Sequence, residues 1–303
     1  MKIKHLFIDR QVADLPETKA IQNRLGVPSE TVRHAGEVYE YVLQSKDAVQ
    51  MGKEILYLTR NNGAFLKACP GTRCYTCCDY KILHIGTFCN MDCSYCILQS
   101  YFHPPVLQYF VNHDELITEL AGMFNQKQIA RIGTGEFTDS LIWDLWTDIS
   151  SQLVAAFSEQ DHCVLELKTK TAAVDGLRAL SHRHKTITAW TLNTNRIIRS
   201  EERHTAPLSA RLKAAARCAS WGYPLAFHFD PLVLYEGCEK DYEQSVQQLF
   251  SCIDPAHIAW ISLGSLRFMP ALKEIIQQRF TDSRIVYGEF ISGLDGKMRY
   301  FKP

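Results

Sequence analysis

The sequence predicts an α/β fold: a partial (β/α)6 barrel of the TIM type with an N-terminal α/β cap. Three observations predict it. From residue 80 onward, short apolar runs alternate six times with segments of helical period, which implies a parallel sheet covered by helices. Polar groups recur at the same end of these runs, where such folds build their sites. The 303 residues and 46% hydrophobic content suit one large domain or two smaller ones. The expected division is a cap region over 1–79, including a cysteine-rich loop, and the barrel over 80–303.

In the cap, PETKAIQNRLG (16–26) and SETVRHAGEVYEYVLQS (29–45) have helical spacing, and EILYLT (54–59) reads as a strand. ACPGTRCYTCC (68–78) reads as loop. The barrel opens with the β-rich run YKILHIGTF (80–88), then a helix over 112–124 with Asn112 as its cap. Strands over 129–136, 163–170, 186–193, 224–231 and 258–266 follow. Helices over 140–157, 171–181, 207–222, 240–253 and 270–280 separate them, Gly222 ending one and Pro270 opening another. RIVYGEF (284–290) suits one more strand.

Charge is balanced at 33 basic and 33 acidic residues, which disfavours tight nucleic-acid binding driven by net charge. No stretch approaches the ~18 apolar residues of a membrane span, and the N-terminus lacks a signal-type apolar run. The expected location is cytoplasmic, with no membrane partner. Eleven cysteines in a reducing compartment do not point to disulfides. Seven of them fall between Cys69 and Cys96, which points to metal.

The densest group is CNMDCSYC, with Cys89, Cys93 and Cys96 placed directly after the first barrel strand. A [4Fe–4S] cubane needs four outer ligands, so three thiolates leave one iron open. That iron can take the amino and carboxylate groups of a methionine moiety, and electron transfer then cleaves the sulfonium of S-adenosylmethionine (SAM) to a 5′-deoxyadenosyl radical. The spacing, with Tyr95 before the last cysteine, resembles the radical SAM superfamily signature and implies that superfamily's type of barrel. The alternative is a zinc knuckle of Cys74, Cys77, Cys93 and Cys96, which leaves Cys89 unexplained.

Other strand ends complete a mouth. GTGE (133–136) resembles the superfamily's Gly-Gly-Glu-type motif: Gly133 and Gly135 allow close backbone approach, and Glu136 can accept from the SAM ammonium. Lys170 suits the SAM carboxylate, or it is a solvated lysine. Thr191 and Asn193 suit the ribose hydroxyls. His228 and Asp230 alternate on one strand and so face one side. They suit contact with SAM or substrate, or else form a hydrogen-bonded core pair.

A closer likeness follows. CSYCILQSYF (93–102), NTNRIIRSEE (193–202), the run 207–232 and RFMPALKEIIQQRF (267–280) resemble the spore photoproduct lyase family. The resemblance covers most of the chain. It implies a radical SAM lyase that repairs a methylene-bridged thymine dimer, with DNA carrying a pyrimidine lesion as partner, a flavodoxin- or ferredoxin-like reductant, and support of hydrogen transfer by Tyr95. Two positions depart from the family's pattern. Its hydrogen-donor cysteine follows the second strand, where this chain has GTGEFTDSL (133–141), and its tyrosine after the last cluster cysteine is Ile97 here. A different substrate for the same radical, such as a peptide, an RNA or a small metabolite, therefore stays open.

Cys69, Cys74, Cys77 and Cys78 suit an auxiliary cluster or zinc site, a catalytic thiol, or an unremarkable loop. Cys163 and Cys218 suit the core. Arg211, Lys213 and Arg217 read as a solvated helix face, and GKMRYFKP (296–303) as either a base-stacking tail or an edge strand.

Overall fold

The structure is a computed structural model whose described residues are 1–69, 76 and 78–300. Cys74 and Cys77 of the suggested auxiliary site, and the last three residues of the C-terminal tail, lie outside them.

The cap contains β1 (His5–Asp9), α1 (Pro16–Leu25), β2 (Ser29–Val32), α2 (Ala35–Leu43), α3 (Ala48–Glu54) and β3 (Ile55–Thr59). Next come β4 (Leu66–Ala68), β5 (Lys81–Leu83), β6 (Gly86–Thr87), β7 (Asp92–Cys93), α4 (Leu98–Tyr101), β8 (Gln108–Phe110) and α5 (His113–Asn125). The middle of the chain forms β9 (Ala130–Gly133), α6 (Ile149–Ser158), β10 (Cys163–Thr169), β11 (Thr186–Thr191), α7 (Asn195–Glu201), β12 (Glu202–Arg203) and α8 (Leu208–Ser220). The C-terminal part forms β13 (Leu225–Leu232), α9 (Cys238–Cys252), β14 (Ile258–Ser265), β15 (Arg267–Phe268), α10 (Pro270–Arg279), β16 (Phe290–Ser292) and β17 (Met298–Tyr300).

The main sheet runs β14-β13-β11-β10-β9-β5-β4. Its first six strands are parallel, and β4 closes the edge antiparallel to β5. This is the expected partial barrel. The second sheet runs β2-β1-β3-β8-β6 and is parallel except at β6. Strands from both sides of residue 79 enter each sheet: β4 joins the barrel, while β6 and β8 join the cap. No helix among the described residues is long and apolar enough to cross a membrane.

Several expectations are corrected. The run 29–45 starts as β2, because Ser29–Val32 pair in register with Leu6–Asp9, and turns helical only at Ala35. The strand β1 was not anticipated. The helix expected over 140–157 breaks into a 3-10 turn, Ile142–Leu145, and α6. There Thr147 Oγ1 accepts Ile149 N–H and Asp144 Oδ1 accepts Ser150 N–H, so side chains restart the helix. The helix expected over 171–181 is reduced to one 3-10 turn, Asp175–Leu177. The Thr171 hydroxyl accepts Ala173 N–H, and its carbonyl is taken by Trp190 Nε1–H, which diverts the backbone from helical bonding. The strand expected over 284–290 does not form there: β16 begins at Phe290, and β17 follows it.

Apolar side chains on alternate strand positions, Leu165, Leu167, Trp190, Leu225 and Phe227, are fully buried and form the main core with α5, α6 and α8. Cys163 and Cys218 belong to it, as expected.

Candidate active site

The three-cysteine loop is held from every side. Phe88, just before it, adopts φ 71°, a left-handed conformation that is costly for a bulky residue. Its N–H donates to Phe137 O at 2.8 Å, and the Lys53 ammonium lies 5.1 Å from its ring. Lys53, on α3 and fully buried, donates to Met91 O and pairs with Asp92 at 3.0 Å. From the other end of the chain, Arg279 on α10 pairs with Asp92 at 3.1 Å and with Asp47 at 3.0 Å, and donates to Gln99 Oε1. The Gln99 amide in turn donates to the carbonyls of Cys93 and Ser94. Ser94 donates through its hydroxyl and its N–H to Glu201. β7 itself pairs with β12, setting Cys93 opposite Glu202.

This frame places Cys89, Cys93 and Cys96 around one cavity of ≈ 200 Å³. Its opposite wall comes from the ends of four parallel strands: Gly135 and Glu136 after β9, Lys168, Thr169 and Lys170 at β10, Thr191 on β11 and Asp230 on β13. Burial pushes the Cys89 thiol up to about 12 and the Cys93 thiol higher still, so both stay protonated unless a cation is bound beside them. Burial pulls the Lys170 ammonium down, but the negative charge of Cys93 in its thiolate form, together with Glu202, outweighs it and the net direction is up. Glu136 pairs with Lys168 at 3.4 Å. Among the described residues, no three His, Cys, Asp or Glu side chains converge on one metal position.

Residues 73–291 match the family model of spore photoproduct lyase. The chain belongs to the spore photoproduct lyase family. Spore photoproduct lyase of Bacillus subtilis (strain 168) is 26% identical over 209 residues, which cover 67% of this chain and 61% of that protein. Its counterpart from Geobacillus sp. (strain Y412MC61) is 25% identical over 206 residues, covering 66% and 60%. The chain thus spans about six tenths of the length of these relatives. Among solved structures, a spore photoproduct lyase variant with bound AdoMet and dinucleoside spore photoproduct superposes with a TM-score of 0.84 at 21% identity, over 99% of this chain and 91% of that one. A second, complexed with dinucleoside spore photoproduct, gives 0.83 at 21% identity over 98% and 90%. Both show the fold.

Within this spore photoproduct lyase-family barrel, Glu136, Lys170, Thr191, Asp230 and Gly135 share the cavity with the three cysteines, and four expected residues do not. Gly133 lacks a side chain because Tyr80 needs the space: an added Cβ would sit 1.9 Å from the Tyr80 hydroxyl. Asn193 is fully buried and engaged within the protein, donating to Pro231 O at 2.8 Å while its Oδ1 accepts from Tyr242 and Thr194. His228 lies deeper, between Glu166 at 2.7 Å and Ser262 at 2.6 Å, which is the core-pair alternative with different partners. Tyr95 is half-buried behind the loop; its hydroxyl donates to Glu202, and Lys170 lies 5.8 Å from its ring centroid. Asp230 lines the cavity but is also clamped by Arg267 at 3.0 and 3.1 Å.

Asp139 was missed. It is buried in the cavity wall, where its carboxylate accepts from Lys170 N–H, the Thr169 hydroxyl and Leu141 N–H at 2.8–3.0 Å. Burial raises its pKa and those bonds oppose the rise. The only sequence signal was its position three residues past Glu136. Arg211 corrects the solvated-face reading: it is fully buried and pairs with Glu202 at 2.5 Å, while Lys213 and Arg217 are exposed. Of the described auxiliary cysteines, Cys69 is half-buried and Cys78 is exposed, with Arg131 donating to its sulfur at 3.3 Å.

Proposed function

We propose that this protein is a radical SAM enzyme of the spore photoproduct lyase type, acting on a thymine-dimer photoproduct in DNA. The supporting observation is that three cysteines and the ends of four parallel strands meet in one cavity. Cys89, Cys93 and Cys96 are the residues to hold a [4Fe–4S] cluster. With SAM bound, such a site supplies one-electron cleavage of the sulfonium and a 5′-deoxyadenosyl radical.

The chain's own groups then bind and orient. Lys170 offers a cation for the SAM carboxylate, and Asp139 fixes its backbone through the 2.8 Å bond to Lys170 N–H. Glu136 offers an acceptor for the SAM ammonium at the price of sharing Lys168. Gly135 brings backbone to the cavity surface, and Thr191 offers a hydroxyl for the ribose. Asp230, held by Arg267, suits the substrate side. Tyr95 acts from behind, ordering Glu202 beneath Lys170. Thiolate chemistry and an electron donor of the flavodoxin or ferredoxin type fit a reducing cytoplasm.

The test is anaerobic reconstitution with iron, sulfide, reductant and SAM, followed by incubation with photoproduct-bearing oligonucleotide. The expected outcome is 5′-deoxyadenosine and restored thymines; absence of 5′-deoxyadenosine overturns the reading. Cys93→Ala is expected to abolish both the brown cluster absorbance and SAM cleavage.

One observation favours a second reading, the same radical with another substrate. The stretch after β9 carries Phe137 and Thr138 but no cysteine, and Ile97 follows the last cluster cysteine. SAM cleavage without turnover of the lesion would favour it.

A further inference from the structure

We propose that Tyr101 and Phe137 form a stacking platform for an unpaired nucleobase at the rim of the cavity. The proposal rests on the nucleic-acid reading above and adds the surface that would hold the strand. Phe137 sits between Glu136 and Thr138, both of which line the cavity. Ile97 lines it too, and Tyr101 follows four residues later, so the two side chains neighbour each other on one helical face.

The Tyr101 and Phe137 rings are stacked, with centroids 5.9 Å apart and planes at 13°. Phe102 meets the Tyr101 ring edge-on at 5.2 Å, and Tyr101 remains 54% exposed. A base can therefore extend a stack that is already ordered, without waiting for a side chain to be immobilised. His84 supports the platform from below, edge-on to Phe137 at 4.9 Å. Burial, helped by Lys67, pushes its pKa down to about 4, so the buried ring is neutral. The Lys67 ammonium lies 5.9 Å from the Phe137 centroid and has no ion-pair partner among the described residues, which leaves its charge for a phosphate. Stacked aromatics beside a cation are the usual means of holding single strands.

The C-terminal strand is a poorer candidate. Tyr300 is already stacked on Phe290 at 4.7 Å, and its hydroxyl accepts Leu234 N–H.

The experiment titrates the full chain with a single-stranded oligothymidylate carrying one 2-aminopurine, whose fluorescence is quenched on stacking. The wild type is expected to bind and quench. Tyr101→Ala is expected to lose about tenfold or more in affinity together with the quenching, whereas Tyr101→Phe keeps both. Tyr101→Leu, which keeps apolar bulk without a π face, takes the place of the alanine variant if that fails to fold. Unchanged binding by Tyr101→Ala, equal loss by Tyr101→Phe, or no binding by the wild type each overturns the platform. SAM cleavage by wild-type protein without DNA separates the two readings. Its absence alongside intact quenching sinks only the radical chemistry, and its presence without quenching sinks only the platform.

Discussion

At the residue scale, buried charge organises the surroundings of the cavity. Arg211 donates to Thr191 O at 2.8 Å, Ala206 O at 2.7 Å, the Thr205 hydroxyl at 2.7 Å and Glu202 at 2.5 Å. It therefore fixes the end of β11 and the β12 strand together. Arg211→Met would remove the buried ion-pair partner of Glu202, leaving it the Tyr95 hydroxyl and the nearby Lys170 charge, a loss of up to about 3–5 kcal/mol; urea denaturation should show the midpoint falling accordingly. Deeper in the barrel, burial pushes the Glu166 carboxyl up, but the hydrogen bond and charge of His228, with Lys168 and Arg131, outweigh it and hold it below the usual 4.5. A depressed carboxylate contributes stability that is full above its unfolded value and disappears as pH falls through the folded one. The wild type should therefore lose stability below about pH 4.5, more steeply than Glu166→Gln, as followed by denaturation midpoints across pH 3–6.

At the element scale, the glycine-rich end of β9 serves two purposes. Gly135 opens the cavity wall, where an added Cβ would lie 2.9 Å from Lys168 Cβ. Gly133 instead admits Tyr80 from the start of the neighbouring strand, and Tyr80 Cζ would be only 2.8 Å from an added Cβ. Gly133→Ala should destabilise the β5–β9 pairing by about 1–3 kcal/mol through overpacking, read as a lower Tm with cluster assembly still possible. The sequence placed both glycines in one motif, and their spacing was right. It could not tell cofactor contact from packing, because the group filling the space at Gly133 is a ring from a different strand. The same limit explains the helices over 140–157 and 171–181. Their periodicity was apparent, but Thr147 and Thr171 redirect the backbone through local side-chain bonds that compete with helix formation.

At the scale of the whole molecule, the cysteine loop is where both ends of the chain meet. Lys53 and Asp47 reach it from the cap, Glu201 from α7, and Arg279 from α10. The Arg279 side chain is 11% exposed and bridges Asp47 and Asp92, whose sequence separations from it are 232 and 187 residues. Such a centre should couple metal to global stability. With the proposed cluster assembled, removing its iron with a chelator should lower Tm, since a ligand held by the folded state alone stabilises that state. Arg279→Met should lower both Tm and the iron retained after gel filtration, assayed by metal content and absorbance.

The cysteine spacing, six alternations of period and the polar strand ends were enough to identify the barrel and the strand ends that line its cavity. These are local signals: each lies within one segment, and the backbone periods of helix and strand make them visible. Which polar groups reach the cavity was another matter. Asp139 and Lys170 do; Asn193, His228 and Tyr95 turn to other partners, and Arg211 leaves a surface-like pattern for the interior. Those outcomes depend on partners in other elements, from 5 residues away for Arg211 to 107 for Tyr95. Burial makes every unpaired donor or charge costly, so the choice of partner is settled only when the strands and helices pack.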